Sequence, residues 1–209
     1  MLVNEIMRKP VTVIEATTLL GEAFRQLQAH GFRHLPVMDQ GRLVGILTDR
    51  DIRLATSSLS PVPHTADAPV SLAMSTPVST VDPLDPVEDA ARIMRDRKIG
   101  CLPVMDGPEL VGILTGMDLL DALMTLTGVT KPSARLEVAL TDRPGELARL
   151  TAILASRQVN IHSILTHPGG DGRVRTVLRV DSNQTRPLAE ALRTDGFEIL
   201  WPPQKPWQH

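Results

Sequence analysis

The sequence predicts an α+β protein: two small βαββα units in tandem, packed as a pseudo-twofold pair, followed by a different unit of βαββαβ order. Three observations lead there. Sliding the chain on itself by about 67 places, with no gap, returns nearly the same words, roughly 17 identities over about 46 positions. Leu35-Pro36-Val37-Met38-Asp39 comes back as Leu102-Pro103-Val104-Met105-Asp106, and Leu43 to Asp51 comes back as Leu110 to Asp118. After the second copy the pattern changes at Thr127-Gly128-Val129-Thr130-Lys131-Pro132-Ser133, and the remaining residues repeat neither half. Finally, 42% apolar and 22% charged residues suit a chain that forms cores, which excludes disordered and collagen-like classes.

Each copy reads alike. A short strand (Val11 to Val13, Val78 to Thr80) leads to a helix whose apolar residues recur at three and four: Leu19, Leu20, Ala23, Phe24 and Leu27, then Val87, Ala90, Ala91 and Met94. Strands at Leu35–Met38 and Leu43–Leu47 flank the turn Asp39-Gln40-Gly41-Arg42, which predicts a hairpin. A helix starts after Thr48. A unit of about 50 residues can barely bury a core of its own, so two copies should share one. Between them, Ser57 to Pro69 is rich in residues that break regular structure and reads as connection.

The last unit begins with the alternation of Leu136 to Leu140 and enters a helix past Asp142-Arg143-Pro144-Gly145, with Leu147, Leu150, Ile153 and Leu154 on one side. A strand from Val159 to Thr166, a turn at His167 to Gly172, a strand from Val174 to Val180, a helix from Pro187 to Thr194 and a strand from Phe197 to Leu200 complete it. This is the split-βαβ order. The tail from Trp201 to His209 should carry no regular structure and fray.

Net charge near −2, 2% aromatic residues and no tyrosine leave little to attract phosphate backbones or stack on bases, so nucleic acid is an unexpected partner. One cysteine, Cys101, cannot form an internal disulfide and stands where copy one has His34; a reducing compartment fits. With no signal-peptide core and no apolar run of spanning length, a cytoplasmic protein without membrane contact is expected. The six histidines, among them His162 and His167, have no zinc spacing, and no nucleophile elbow or phosphate-binding lysine loop occurs. No catalytic residue, metal or catalytic cofactor is expected, and the chain is read as a non-enzyme.

What chemistry the repeat offers lies at its helix start. In Thr48-Asp49-Arg50-Asp51 the threonine caps the helix and Asp51 reaches back to the cap's amide. Capping alone explains the spacing. The same device also presents free amides and a positive dipole end to a phosphate, with an acceptor-only carboxylate beside it for two ribose hydroxyls.

The tandem words Leu-Pro-Val-Met-Asp and Gly-Ile-Leu-Thr-x-x-Asp resemble paired CBS domains, the Bateman module, over about residues 1 to 125. The resemblance implies repeats at 1–58 and 69–126 joined by 59–68, and adenosine-containing regulatory ligands (AMP, ADP, ATP or S-adenosylmethionine) in two clefts. Carried over, Thr48 and Thr115 lie at phosphates and Asp51 and Asp118 at ribose hydroxyls. Thr12, Ile14, Ser79 and Val81 lie near adenine, and Arg33, His34, Pro36, Asp49, Arg50, Cys101, Pro103 and Met117 complete the two sites. Which first strand serves which aspartate stays open. Copy one carries Arg33, His34, Arg50 and Arg53 where copy two has Gly100, Cys101, Met117 and Leu120, so copy one's motif should suit phosphates better.

Beyond a linker at 127–133, the stretch Leu136-Glu137-Val138-Ala139-Leu140-Thr141-Asp142-Arg143-Pro144-Gly145 with Val159 to Ile164 resembles an ACT domain, 134–201, with a tail at 202–209. Asp142 as helix cap, Pro144 in the first turn and Gly145 under a ligand would let the helix start receive an amino acid's carboxylate. Glu146, Leu147, Asn160 and Ile161 join them as amino-acid-binding candidates. The order CBS, CBS, ACT resembles the bacterial acetoin utilization protein family. It implies a regulator that is a homodimer through its CBS and ACT domains and acts on a partner enzyme. The competing reading is a ligand-free dimerisation module that scaffolds that enzyme.

Overall fold

The repeated words fold into two near-identical hairpins, and each is completed by chain from the other copy. The computed structural model describes residues 1–182 and 184–204. A short helix α1 (Val3–Ile6) precedes copy one, which runs β1 (Ile14–Glu15), α2 (Leu20–His30), β2 (His34–Asp39), β3 (Arg42–Thr48) and α3 (Asp49–Ala55). Copy two has a 3-10 turn at Val70–Leu72, then α4 (Val87–Arg97), β4 (Cys101–Asp106), β5 (Glu109–Thr115) and α5 (Gly116–Leu126). β1 lies parallel to β2, which pairs antiparallel with β3; β4 and β5 pair the same way, and copy two's first strand is a single parallel bridge from Val81 to Val104. Both hairpins carry a register shift at one place, Val37/Met38 and Val104/Met105.

The first strands begin later than the sequence suggests, at Ile14 and Val81 rather than Val11 and Val78. The reason lies upstream. Arg8 exchanges backbone hydrogen bonds with Ile113 of copy two (2.9 and 3.1 Å), and Ser75 exchanges them with Ile46 of copy one (2.8 and 3.1 Å). The residues in between cross from one sheet to the other and cannot pair with either hairpin. The cores are exchanged accordingly. Val3 is fully buried among Val81, Ala90, Leu102 and Leu114, while Val70 is fully buried with Leu20, Leu27, Leu35 and Leu47. Two methionines seal the exchange: a Cβ on Gly45 would overlap Met74 Sδ, and one on Gly112 would overlap Met7 Sδ. Glycine is required there because a thioether occupies the space.

A first compact unit ends at Ala122 and a second begins at Leu123. The second runs β6 (Ala134–Thr141), α6 (Glu146–Ser156), β7 (Ile161–Gly170), β8 (Arg173–Val180), α7 (Thr185–Thr194) and β9 (Glu198–Trp201), an antiparallel sheet of order β7-β8-β6-β9. One face of that sheet packs Leu136, Val138, Leu140, Leu178 and Val180 against Leu150, Leu154, Leu188 and Leu192. On β6 the alternate residues Arg135 and Glu137 are ion-paired at 2.7 Å, and Arg175 Nε lies 2.8 Å from Glu137. Burial raises the Glu137 carboxyl's pKa, but the Arg135 hydrogen bond and both arginine charges outweigh it and leave it below the ordinary range.

Three expectations shift. β7 continues through His167 and Pro168 to Gly170, because those residues still pair with Arg175, Val174 and Arg173; only Asp171-Gly172 turns. Trp201, one residue beyond the expected end of the last strand, ends β9 opposite Glu137, where Arg135 lies 6.0 Å above its ring. The helix cap is Gly145 (φ 95°), so Asp142 is exposed and caps nothing, and Pro144 lies before the first turn. The rest of the tail from Lys205 lies outside the described residues.

Gly45→Ala is expected to cost about 1–3 kcal/mol by overpacking, with most of that increment removed when Met74 is also shortened to alanine. An unchanged urea midpoint in the single variant would mean that the methionine has another seat. Thr176 is fully buried on the apolar face, and its hydroxyl has no hydrogen-bond partner among the described residues. Thr176→Val should therefore stabilise the second unit by about 1 kcal/mol or more, and a lowered thermal midpoint would contradict this.

Candidate functional site

Crossing lead-in segments leave two clefts, each walled by one copy's helix start and the other copy's lead-in. In the first, Thr48, Asp49, Arg50 and Asp51 from copy one face Ser75, Pro77, Val78 and Ser79 from copy two across a cavity of about 470 Å³. In the second, Thr115, Gly116 and Met117 face Arg8, Pro10, Val11 and Thr12 across about 430 Å³. The lead-in of copy two thus faces Asp51, and that of copy one faces the cleft beside Asp118.

Each helix start is a capping box. Asp51 Oδ2 accepts from the Thr48 amide (2.9 Å) and hydroxyl (2.7 Å), while the Asp51 amide donates back to Thr48 Oγ1 (3.1 Å). Asp118 Oδ2 accepts from the Thr115 amide (2.8 Å) and hydroxyl (2.5 Å). Beyond the box the two aspartates differ. Asp118 is buried at 6% exposure, and its Oδ1 accepts from Arg8 Nε at 2.6 Å. Asp118's hydrogen bond and charge in turn push the Arg8 pKa upward. Asp51 is half-buried on the wall of its cavity, with Ser75 at the position of Arg8.

Charge is unequal too. The Asp51 cleft is lined by Arg33, Arg50 and Lys98, whereas the other holds Arg8 and Arg33 beside Phe32, Ile113 and Met117. Arg53 turns instead to Asp49 (3.4 Å) and lines neither cleft. Lys98 ends α4 in the left-handed region (φ 54°), where copy one has Gly31 (φ 65°). A lysine there gives up backbone ease that the matching glycine keeps, and it brings an ammonium to the cleft.

The two clefts share a wall made by Arg33, His34 and Gly100. His34 lies so close to Gly100 that a Cβ there would be 2.8 Å from its Nε2, which explains why copy two lacks a side chain where copy one has Arg33. Burial, then the Arg33 charge, lowers the His34 pKa, against weaker opposing pulls from Asp49 and Asp51. Cys101 lies buried at the Asp51 cleft, and burial pushes its thiol up to about 12, so it is inert as a nucleophile near neutral pH.

Of the residues predicted from sequence, Arg33, His34, Thr48, Asp49, Arg50, Asp51, Ser79 and Cys101 meet at the Asp51 cleft, and Thr12, Thr115 and Met117 at the other. Ile14, Val81, Pro36, Pro103 and Asp118 do not join them: Ile14 and Val81 pack into the cores, Pro36 and Pro103 are buried within β2 and β4, and Asp118 is buried beneath Arg8. Ser75, Val78 and Lys98 were missed, as was Arg8. The duplication itself carries the signal for Arg8 and Ser75, since they are equivalent positions with unequal side chains.

In the second unit, Asp142, Pro144, Gly145, Leu147 and Asn160 are exposed, and Ile161 packs on the core. Glu146 is buried and bound by Arg143 (2.9 and 2.6 Å) and Arg149 (3.3 Å). The Arg143 hydrogen bond leads in holding its carboxyl below the usual range. A cavity of about 590 Å³ in this unit is lined elsewhere, by residues including Arg135, Thr185, Arg186 and Trp201. Among the described residues, no group of three or more His, Cys, Asp or Glu could hold a metal, and no helix is long and apolar enough to cross a membrane.

A duplicated hairpin pair with a cavity at each helix start defines a class of paired modules. The chain belongs to the CBS domain family: CBS domains match residues 3–58 and 70–125, more than half of the chain, and an ACT domain matches 134–196. CBS and ACT domains are regulatory modules. A CBS domain-containing protein of Dictyostelium discoideum is 37% identical over 142 residues, 64% of this chain and 98% of that protein. YhcV of Bacillus subtilis is 35% identical over 117 residues, 56% of this chain and 81% of its own length. Among solved structures, the CBS pair of protein MJ0100, in complex with 5′-methylthioadenosine and S-adenosyl-L-methionine, is 30% identical with a TM-score of 0.54, covering 63% of this chain and 98% of that one. AcuB of Vibrio cholerae, assigned to acetoin utilization, is 33% identical with a TM-score of 0.53, covering 64% and 98%.

Because the folded chain keeps His34 neutral below the ordinary imidazole pKa, the unfolded chain binds a proton more readily there. His34 should thus cost stability as pH falls through about 6.5. His34→Gln is expected to show a smaller loss than the parent between pH 7.5 and 5.5, and equal losses in urea melts would refute the assignment.

Proposed function

We propose that the chain is a non-catalytic sensor whose CBS pair binds an adenosine-containing ligand, an adenine nucleotide or S-adenosylmethionine, in the Asp51 cleft. The observation that carries this is a carboxylate on a cavity wall with one oxygen fixed by its capping box and the other directed to no partner among the described residues. A ribose diol supplies two donors to such a group. The cap's helix start, with Arg33, Arg50 and Lys98, offers charge-assisted donors to a phosphate or carboxylate further along the same ligand. The adenosyl ligands held by the related CBS pair of MJ0100 support the choice of nucleoside.

Regulation then follows by linkage. A ligand that bridges Thr48 and Asp51 of one copy to Ser79 of the other favours the relative orientation of the copies in which both walls are in reach, and the chain passes that preference to the ACT unit or to a partner enzyme. The likeness to AcuB favours acetoin utilization as the setting. An amino acid at the Gly145 helix start, where a Cβ would meet nothing within 4 Å, is the second input we propose.

A ligand-independent reading rests on a different observation. Met117 and Leu120 on α5 are exposed apolar side chains of the first unit, which suits self-association as a homodimer. The two readings separate by a melt. AMP or S-adenosylmethionine at about 100 times its dissociation constant should stabilise the protein by roughly 2.7 kcal/mol, raising the midpoint by about 5 to 10 °C. Asp51→Ala should abolish that shift relative to its own unliganded midpoint, and Lys98→Gly should weaken AMP more than adenosine. If no adenine ligand moves the transition of the full chain, the scaffold reading stands instead.

A further inference from the structure

The two clefts come from one duplicated device, yet only at Asp51 does one carboxylate oxygen have no partner among the described residues. In both, the capping threonine saturates Oδ2 of the aspartate through an amide and a hydroxyl, which leaves Oδ1 as the oxygen with capacity for a ligand. At Asp118 that oxygen already accepts from Arg8 Nε. At Asp51 it does not, and the cause is a single position. Arg8 and Ser75 are equivalent in the duplication, and each is anchored by the same pair of backbone hydrogen bonds to the opposite hairpin, at Ile113 and Ile46. The backbone therefore delivers both side chains to the same place. An arginine spans the gap to the carboxylate, and a serine is too short. Accordingly Asp51 stands on its cavity wall, whereas Asp118 is withdrawn at 6% exposure beneath a guanidinium whose own side chain is 62% exposed.

Resting on the nucleoside reading above, we infer that Arg8 is the residue that decides which cleft admits a nucleoside: seated on Asp118, it withholds the diol-binding oxygen of the second cleft, so the chain has one open site, at Asp51. The ion pair acts as an internal substitute for the ligand. A carboxylate oxygen accepts two hydrogen bonds; Arg8 takes one of the two places on Oδ1 of a carboxylate withdrawn to 6% exposure, so a diol that needs both places competes with the arginine. The latch is also local, since Arg8 is held at its backbone whether or not its side chain is engaged. An arginine at position 75 would close the Asp51 cleft by the same geometry.

Adenosine, which carries no phosphate to draw Arg8 away, is the probe. Equilibrium dialysis of the full chain is expected to give one adenosine per chain, rising to two in Arg8→Ser and returning to one when Asp118→Ala is added. Ser75→Arg, in the otherwise unaltered chain, is expected to give none. Two bound to the parent chain, or one bound to Arg8→Ser, overturns the latch while leaving the nucleoside reading intact. If the parent chain binds neither adenosine nor AMP, or binds one that Asp51→Ala fails to remove, the nucleoside reading itself falls and the latch with it. Should Arg8→Ser not fold, the Ser75→Arg chain decides: loss of its one adenosine supports the latch, and retention overturns it.

Discussion

The structure depends on an exchange. Each copy of the repeat sends the chain that precedes its first strand across to the other copy's hairpin, where two backbone hydrogen bonds and a methionine over a glycine hold it. A hairpin with one helix on each side is too small to close a core alone. Val3 and Val70 supply the missing apolar surface, each from the lead-in that belongs, by sequence, to the other copy. Separating the copies would uncover both cores at once, so the pair is the folding unit.

The same exchange makes the clefts. Because the chain from Lys9 to Val13, and again from Thr76 to Thr80, crosses between sheets, it pairs with neither and is free to line a cavity. Its partner across the cavity is the capped helix start of the opposite copy, whose threonine and aspartate are fixed by each other's hydrogen bonds before any ligand arrives. A site preorganised in this way spends little ordering entropy on binding. On the proposed function, a conformational response would come from the relative placement of two walls that belong to different copies, which is what linkage between a ligand and an output needs.

Duplication supplies two clefts, and divergence makes them different. Arg33, Arg50 and Lys98 give the Asp51 cleft its cations, while Met117, Phe32 and Ile113 give the other an apolar wall. His34 and Gly100 show the same divergence at the shared wall, where an imidazole occupies the space that a second side chain would need. The ACT unit has a separate logic. Its sheet buries one face under α6 and α7, and β6 turns Glu137 with its arginines toward the other, beside Val177 and the exposed Leu165.

The sequence by itself determined the repeat, both hairpins with their turns, the capping boxes and the order of the ACT unit, because each follows from local spacing: alternation of two in strands, three and four in helices, and a threonine three residues before an aspartate. It also held the contrast between Arg8 and Ser75, although spacing gave those positions no role. Tertiary structure alone decided that the lead-ins cross over, that Ile14 and Val81 fill cores and Pro36 and Pro103 are buried within strands instead of facing a cleft, and that Gly145 rather than Asp142 caps α6. The physical reason is common to all of these. Which wall faces which carboxylate is settled by contacts between residues about 100 positions apart, such as Arg8 with Asp118, and no local period encodes them.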